Sequence, residues 1–423
     1  MKIIADLHVH SGFSRATSKD MNTATMALWA RKKGINILGT GDFTHPVYFK
    51  NLQKTLKPAG NGLYTTPSEP SVFFMPTAEI SSIYSQGGKV RRIHNIIMAP
   101  SLEIAGKINN TLGKRGNLSS DGRPILGTPA KDLLKIVMDI SEDCLFVPAH
   151  AWTPWFSVFG SKSGFDSIEE CFGEYSKYIY AIETGLSSDP EMNWRLSALD
   201  KISLISNSDA HSPGKLGREA NVFECKMGYH EIIDAIRKKD KTRFLYTLEF
   251  FPEEGKYHYD GHRLCNILFS PAESKRHSNI CPVCKKPLTV GVMNRVDELA
   301  DRQEGFAHPN AIPSIHMVPL AEIISEALDI GVNTAGVKRE YEKLTGLYPE
   351  LTILMDLPDD GLLKIAGSKI AEGIIKVRAG DINIVPGYDG VYGEISIFSK
   401  KTAVSKKPGG KPAVTAIRQK NLF

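Results

Sequence analysis

Histidine and acidic residues recur at the ends of short apolar runs in the first half of this chain. The set comprises His8, His10, Asp42, His45, Glu79, His94, His150, Asp209 and His211. Imidazole and carboxylate groups together suit hard-to-borderline divalent metals, whereas a hydrophobic core gains nothing from so many titratable groups. Any one of these histidines can be a hydrogen-bonded structural residue, but the whole set predicts a hydrolytic centre with several metal ions.

The spacing predicts how these residues share ions. Side chains two positions apart on a strand point to the same side, so His8 and His10 can hold one ion together, and Asp209 and His211 repeat that spacing. Glu79 is the natural bridging carboxylate, because its two oxygens can reach two ions. A second ion would be completed by His94 and His150. A third ion would be held by Asp42, His45 and His211.

Hydrolysis follows from such ions. A bound divalent cation lowers the pKa of water from about 15.7 to about 7 and so supplies a nucleophile at neutral pH. Asp209 is the best candidate for both metal ligand and proton acceptor, and Glu79 and His211 complete the predicted catalytic set. Glu183 is a candidate for orienting a histidine ligand through a hydrogen bond.

The elements that must position these residues alternate between strands and helices up to about residue 245. The predicted strands cover residues 3–9, 36–41, 72–77, 93–98, 145–149, 178–182 and 204–207, and the predicted helices cover 23–33, 131–140 and 230–239. This alternation predicts an α/β fold with parallel strands and covering helices, either a barrel or an open sheet. Ligands gather at the carboxyl ends of strands in both folds, where the predicted metal ligands lie.

Composition bounds the class of protein. With 423 residues, 42% hydrophobic and 23% charged, the chain is globular and is expected to form two or three domains. A net charge of +5 permits a polyanionic partner without requiring one. No apolar run approaches the roughly 18 residues of a membrane span, and no signal-peptide pattern opens the chain. We therefore expect a cytoplasmic protein without membrane association, and nothing in the sequence requires more than a monomer.

A second metal site is predicted by cysteines in the middle of the chain. Cys281 and Cys284 have the spacing of a zinc knuckle, and His262 and Cys265 repeat it sixteen residues upstream. His258 and His277 compete with His262 for the fourth position. A redox pair is the alternative, but no thioredoxin-like context surrounds it. We expect one structural Zn²⁺, which would hold together a small domain that buries little apolar surface.

The metal-ligand motifs resemble the polymerase-and-histidinol-phosphatase (PHP) domain family. DLHVHS, GTGDFTHP, TAEIS, PAH and SDAH occur here in the order of that family over about 215 residues. The resemblance implies a distorted (β/α)7 barrel with a three-metal centre for phosphoester hydrolysis. One departure concerns the third ion, since the family often has another histidine after the first motif. This chain offers only Ser14, Arg15 and Ala16 there.

Three further segments suggest a DNA substrate. The loop at 150–164 combines aromatic residues with Gly, Ser and Lys, a composition that suits stacking on an unpaired base and holding phosphate, although at least two of its aromatics are expected to be core. Residues 362–380 resemble a helix-hairpin-helix element, with an ordinary helical hairpin as the alternative. The predicted DNA-binding residues are Trp152, Trp155, Phe159, Lys162, Lys369 and Lys376, with Phe156 as a further aromatic of the loop.

The chain ends in a basic, Lys-, Gly- and Pro-rich stretch that is expected to be a flexible tail. Its last five residues, QKNLF, resemble the short peptide with which repair and replication proteins bind sliding clamps. Gln419, Leu422 and Phe423 are the predicted clamp-binding residues.

As a whole, the order of these motifs resembles the endonuclease Q family. That resemblance implies a PHP catalytic domain (1–250), a small zinc-binding domain (251–296), a mainly helical DNA-binding region (297–399) and the tail (400–423). It also implies cleavage of single- or double-stranded DNA 5′ to a deaminated base (hypoxanthine, uracil or xanthine) or an abasic site, with two to three catalytic ions (Zn²⁺, Mn²⁺ or Mg²⁺). A small-molecule phosphatase of the histidinol-phosphatase kind and a non-catalytic DNA-binding scaffold are the alternatives.

Overall fold

A computed structural model describes residues 1–398 of the chain and divides it into two compact units. The first unit is Met1–Glu249 with Glu298–Ser314, and the second is Phe250–Asp297 with the chain from Ile315 onward. The predicted boundary near residue 250 lies next to this division. The second unit contains both the predicted zinc-binding segment and the helical region, so their separation into two domains stays a prediction.

The first unit alternates strands and helices. Its strands are β1 (Lys2–Asp6), β2 (Ile37–Gly39), β3 (Lys57–Gly60), β4 (Leu63–Thr66), β5 (Glu69–Met75), β6 (Thr77–Gln86), β7 (Lys89–Met98), β8 (Ile125–Leu126), β9 (Leu145–Pro148), β10 (Ala181–Glu183), β11 (Ser203–Ile205), β12 (Ala220–Glu224) and β13 (Phe244–Glu249). Its helices are α1 (Thr23–Lys33), α2 (Pro46–Thr55), α3 (Leu102–Leu112), α4 (Ala130–Ile140), α5 (Ile168–Phe172), α6 (Pro190–Asn193) and α7 (Tyr229–Arg237). The predicted helices correspond to α1, α4 and α7.

Strand pairing is mixed. β1, β2 and β5 are parallel neighbours, as are β10 and β11. The longest pair, β6 with β7, is instead antiparallel, and β9 pairs antiparallel with β7. Gly87 and Gly88 connect β6 to β7 with φ values of 60° and 74°, which a two-residue hairpin turn requires. The α/β class is confirmed, the expectation of parallel strands throughout is wrong, and the closed (β/α)7 barrel stays a prediction.

The core of the first unit lies where β1 and its neighbours meet α7. Ile3, Ala5 and Leu7 alternate along and just beyond β1 and are fully buried together with Ile232 and Ile236 of α7. The alternation turns one face of the strand to the core, as its period of two requires. The carboxyl end of β1 is thereby fixed in position, and the His-x-His motif follows it directly.

The elements after residue 250 combine strands of three residues with helices of up to twelve residues. They are β14 (Asp260–His262), β15 (Ile267–Phe269), α8 (Pro271–Arg276), α9 (Val292–Leu299), β16 (Ser314–His316), α10 (Leu320–Leu328), α11 (Ala335–Thr345), α12 (Asp359–Ile365), α13 (Ser368–Ala379), β17 (Asn383–Val385) and β18 (Glu394–Ser396). Short 3-10 turns cover Gly173–Tyr178, Ser197–Leu199, Pro213–Lys215, Pro252–Glu254 and Arg263–Cys265, and Thr352–Asp356 is a π-helical turn. Within residues 1–398, none of the helices has the length and apolar character to span a bilayer.

Candidate metal centre

Two groups of possible metal ligands in the first unit share one residue. The first group is His8, His10, Glu79 and Asp209, and the second is Glu79, His94 and His150. Within each group the ligand atoms lie within 4.8 Å of one another. The sequence predicted that Glu79 links an ion held by His8 and His10 to a second ion with His94 and His150, and folding brings the six residues of the two groups together from five separate stretches of chain.

Glu79, which is buried in β6, turns one carboxylate oxygen to each group. Its Oε2 lies 3.2 Å from Nε2 of His10 and 3.5 Å from Nε2 of His8. Its Oε1 lies 2.6 Å from Nδ1 of His94 and 3.1 Å from Nε2 of His150. This is the geometry expected of a carboxylate that bridges two cations.

Three buried atoms of the first group lack a hydrogen bond within the protein. They are Nε2 of His8, Nε2 of His10 and Oδ1 of Asp209, and Oδ1 of Asp209 lies 3.0 Å from Nε2 of His10. A buried polar atom without a partner costs about 1–3 kcal/mol, and three that converge on one point are what a cation would satisfy. The residues present therefore fit a bound divalent metal.

The charges in this centre reinforce the fit. Burial disfavours the protonated form of His8, but the carboxylates of Glu183 and Glu79 outweigh it and raise the pKa of His8 well above its ordinary value. Burial also disfavours the ionised form of Glu79, but neighbouring positive charges, Arg123 among them, lower its pKa well below the usual range. The centre thus stabilises positive charge beside a carboxylate that stays ionised.

Strained backbone positions two of the ligands. His150 follows β9 with φ of 30°, and Asp209 follows β11 with φ of 47°. Non-glycine residues adopt such angles rarely, and strain of this kind clusters at functional sites. Gly185 makes room for His150, because a Cβ at Gly185 would lie 2.6 Å from the Cβ of His150.

Glu183, at the end of β10, supports ligands of both groups. Its carboxylate oxygens lie 3.0 and 3.1 Å from Nδ1 of His8, and one of them accepts a hydrogen bond of 2.9 Å from the backbone N–H of His150. Asn207 donates to it as well, at 2.9 Å. A carboxylate behind a histidine fixes the ring orientation and leaves the other nitrogen free for the metal, which is the arrangement expected for Glu183 from the sequence.

Asp42 lies behind His10 and belongs to neither ligand group. Its Oδ1 is 3.0 Å from Nδ1 of His10, while its Oδ2 accepts hydrogen bonds from the N–H and hydroxyl of Ser11 at 2.6 Å and from the hydroxyl of Ser14 at 2.9 Å. Both carboxylate oxygens of Asp42 therefore contact protein groups. Ser14 occupies this position in the segment where the PHP family often has a histidine.

The other two residues of the predicted third group have different partners. His45 caps α2, and its Nδ1 accepts a hydrogen bond from the N–H of Tyr48. His211 places Nδ1 2.8 Å from the carbonyl oxygen of Asp209, and its ring lies 4.6 Å from that of His10. In the part of the chain that is described, Asp42, His45 and His211 do not form a ligand group.

Arg123 is a charged residue of the centre that sequence reasoning missed. Its Nη1 donates a 3.0 Å hydrogen bond to Oε2 of Glu79, and 25% of its side chain is exposed to solvent. Arg123 precedes β8, which pairs in parallel with β6, so the sheet brings it beside Glu79. The only signal in the sequence is DGRP before a two-residue strand, which is too weak to predict this contact.

The aromatic loop at 150–164 divides into buried and exposed residues. Trp152 and Phe159 are each 1% exposed, their rings lie 4.8 Å apart, and Nε1 of Trp152 donates to Asn193. Their predicted role in DNA binding is therefore wrong, because core packing covers both rings. Trp155 is 48% exposed and Lys162 is exposed, so both remain candidates.

The predicted zinc ligands converge in the second unit. His262, Cys265, Cys281 and Cys284 form one ligand group, with Sγ of Cys284 3.8 Å from Nε2 of His262. Burial raises the pKa of the Cys281 thiol, but the N–H groups of Cys284 and Val283 outweigh it, so the pKa is lowered. A thiolate held by backbone N–H groups is the ligand form that Zn²⁺ binds. Of the competing histidines, His277 stacks on Phe269.

The helix-hairpin-helix segment forms two helices. α12 and α13 are separated only by Ala366 and Gly367. Lys369 lies exposed in the first turn of α13, whereas Lys376 is half-buried and forms an ion pair with Asp381. The tail and its clamp-binding residues Gln419, Leu422 and Phe423 lie outside the described residues.

Two solved structures are similar to this chain over nearly its full length. The lesion-specific endonuclease PfuEndoQ from Pyrococcus furiosus is 32% identical, with a TM-score of 0.84, and the match covers 95% of this chain and 98% of that one. Endonuclease Q in complex with a 27-mer duplex substrate, with an abasic lesion at the active site, is also 32% identical, with a TM-score of 0.81 and coverage of 95% and 99%.

Two curated relatives are also similar. Protein MJ0043 of Methanocaldococcus jannaschii is 33% identical over 276 residues, a match that spans 62% of this chain but only 34% of the length of that relative. Protein YqxK of Bacillus subtilis is 29% identical over 93% of this chain and 99% of its own length. The family described as the MJ0043 C-terminal domain matches residues 319–381, which contain α10 to α13.

Proposed function

The chain belongs to the endonuclease Q family of DNA-cleaving hydrolases, and on that premise we propose that it is a metal-dependent DNA repair endonuclease. It cleaves the phosphodiester bond 5′ to a deaminated base, namely hypoxanthine, uracil or xanthine, or to an abasic site. The observation that carries this proposal is the position of Glu79 between two groups of buried ligands, in a chain that matches a complex of endonuclease Q with a lesion-containing duplex. A lesion base is cheaper to extrude from the duplex than a paired one, which makes recognition of this kind physically reasonable.

The residues have distinct roles in the proposed reaction. One ion would be held by His8, His10, Asp209 and Glu79, and the other would be held by Glu79, His94 and His150. When bound, two such ions activate water and neutralise charge on the attacking and leaving oxygens of the phosphodiester. Glu183 and Asp42 keep the rings of His8 and His10 oriented from behind.

Three residues complete the proposed reaction site. Asp209, with an oxygen inside the first group, accepts the proton of the attacking water. Arg123 has one guanidinium nitrogen on Glu79 and part of its side chain exposed, so its remaining N–H groups are placed to contact a phosphate oxygen. His211, the remaining residue of the predicted catalytic set, lies beside His10 with 31% of its side chain exposed.

The second unit and the C-terminal residues supply the proposed contacts to zinc, DNA and a protein partner. One structural Zn²⁺ would be held by His262, Cys265, Cys281 and Cys284. Lys369, exposed at the start of α13, contacts the phosphate backbone of DNA, and this contact does not depend on the base sequence. The C-terminal QKNLF binds a sliding clamp, which would bring the enzyme to replicating DNA.

One assay separates this function from its alternatives. A labelled duplex that contains a single deoxyinosine, uracil or abasic site is incubated with Mg²⁺, Mn²⁺ or Zn²⁺, beside an undamaged duplex and a phosphate monoester. The proposal predicts a nick 5′ to the lesion and an intact control duplex. Release of phosphate from the monoester without a nick would establish a small-molecule phosphatase, and binding without either product would establish a scaffold.

A further inference from the structure

An exposed tryptophan with a cationic partner lies in the loop that follows β9. The guanidinium carbon of Arg92 is 5.0 Å from the centre of the Trp155 ring and 5.7 Å from that of Phe156. Trp155 is nevertheless 48% exposed, so the cation covers one part of the ring and leaves the rest to solvent. We call Arg92, Trp155 and Phe156 the aromatic shelf.

The shelf is attached to the second ligand group. The ring of Phe156 packs 4.7 Å from the ring of His94. Thr153 donates a hydrogen bond of 2.8 Å to the carbonyl of Trp155, and its hydroxyl lies 3.1 Å from Nδ1 of His150. Trp155 is therefore linked through one threonine to a ligand of the metal centre.

The loop holds the shelf in a strained conformation. Phe156 has φ of 64°, which a bulky residue adopts only when its surroundings impose it. Its carbonyl accepts a hydrogen bond from the N–H of His94, and its own N–H donates to the hydroxyl of Ser163. Ser163 in turn donates to the carbonyl of Arg92. These contacts join the backbone of Phe156 to β7, the strand that also carries Arg92.

Core packing does not explain the position of Trp155, which differs in exposure from two other large aromatics of the loop. Trp152 and Phe159 fill the core and are almost fully covered, whereas Trp155 remains half-exposed between them in sequence. A flat ring with a cation on it is the kind of surface on which nucleobases stack, since every base has a π-face and the cation attracts the neighbouring phosphate.

We propose that the aromatic shelf stacks on an unpaired nucleobase next to the scissile phosphate, while Arg92 contacts the adjoining backbone phosphate. This inference rests on the proposed function and names the part of the DNA that the site holds. Stacking of the base would keep the strand open while its phosphodiester lies in the metal centre. It requires no sequence preference, which suits an enzyme that must act wherever a lesion arises.

The test compares Trp155→Ala, Trp155→Phe and the matched control Trp29→Ala, which removes another tryptophan that has a lysine, Lys32, over its ring. On a lesion duplex, we expect Trp155→Ala to raise KM about tenfold, Trp155→Phe to restore most of the loss, and Trp29→Ala to behave like the wild type. Hydrolysis of bis(p-nitrophenyl) phosphate, a diester without a base, is measured for the wild type and Trp29→Ala and reports whether the metal centre is active.

A direct measurement uses 2-aminopurine placed beside the lesion, in the Asp209→Asn background so that the duplex stays uncut. Stacking on Trp155 should quench its fluorescence, and the quench should be lost with Trp155→Ala but kept with Trp29→Ala. An unchanged KM together with an unchanged quench in Trp155→Ala would overturn the shelf. If the wild type hydrolyses the simple diester but nicks no lesion duplex, the proposed function fails instead, and the quench still decides whether the shelf binds a base.

A variant of Arg92 separates the cation from the ring. Arg92→Met keeps much of the side-chain bulk and removes the charge. We expect it to weaken binding of every duplex to a similar degree and to reduce the slope of log K against log salt by about one. An unchanged salt slope would show that Arg92 only supports Trp155 and does not contact phosphate.

Discussion

At the scale of single residues, the centre depends on how each carboxylate divides its oxygens. Glu79 faces two ligand groups, whereas Asp42 directs both oxygens to His10 and to serines. Asp209 keeps an unpaired buried oxygen between His8 and His10. These three acids look alike in the sequence, and only their partners distinguish their proposed roles as a bridging ligand, an orienting residue and a ligand that accepts a proton.

Asp209→Asn should abolish turnover and leave the fold intact. Asparagine tolerates the φ of 47° at this position as well as aspartate does, so the backbone needs no change. The amide cannot act as an anionic ligand or a proton acceptor, and we expect the nicking rate to fall on the order of a thousandfold or more. Rates on a lesion duplex and a thermal melt check this, with Asp139→Asn as the surface control. An active, metal-replete Asp209→Asn protein would contradict the assignment.

Arg123→Ala should lower kcat by about a hundredfold or more with a smaller effect on KM, because a charge aimed at the reacting phosphate acts mostly in the transition state. Arg123→Lys should recover part of the loss, since it restores the charge but not the planar fork. Steady-state kinetics on the lesion duplex measure both variants. If Arg123 serves only to hold Glu79, the alanine variant will instead lose bound metal.

At the scale of elements, short connections place the functional side chains. The Gly87–Gly88 turn folds β6 back on β7 and sets Glu79 and His94 on neighbouring strands. In the second unit, the antiparallel pair β14 and β15 brackets the turn that carries Cys265. A helix of ordinary length then presents Lys369 at its exposed first turn. The chemistry at each site relies on a turn of only a few residues.

Cys281→Ser should remove one zinc ion per chain and destabilise the second unit by more than about 4 kcal/mol, since loss of a structural metal belongs to the large mutational effects. Elemental analysis and thermal unfolding measure the two effects. Cys225→Ser is the matched control, because this half-buried cysteine belongs to no ligand group of the described chain. Full zinc content in Cys281→Ser would exclude the predicted site.

Lys369→Ala should weaken binding uniformly for all DNA sequences and reduce the salt slope of binding by about one, as the loss of a single phosphate contact does. Lys343→Ala removes an exposed lysine that already pairs with Glu340 and serves as the control. Fluorescence anisotropy at several salt concentrations gives both slopes. Equal slopes for the two variants would favour the ordinary helical hairpin.

At the scale of the whole molecule, metal content reports on both units at once. Two ions that share Glu79 and one structural zinc would give three ions per chain, and Glu79→Gln should leave only the zinc. Inductively coupled plasma analysis of the purified protein counts them. A fourth ion would show that Asp42, His45 and His211 rearrange around a metal, contrary to the hydrogen bonds that now occupy Asp42.

The sequence predicted much of the site because ligand chemistry is local. Residue type and spacing were enough to predict which residues gather around Glu79 and that a histidine joins Cys265, Cys281 and Cys284, while their role as metal ligands stays a prediction. The alternation of elements predicted the α/β class. The hairpin of β6 and β7, the contact of Arg123 and the identity of the two buried aromatics in the 150–164 loop were not predicted. Each depends on neighbours that are distant in sequence, and periodicity does not record them.

The sequence by itself determined which chemistry this protein can perform, because histidines, carboxylates and thiolates bind metals wherever a chain brings them together. Only the tertiary structure decided which of them meet. It placed Glu79 between two groups, directed Asp42 to His10, and left Trp155 exposed while Trp152 and Phe159 were buried. The physical reason is that a ligand's role follows from the direction and the partners of its atoms, and these are fixed only when strands from distant parts of the chain pack against one another.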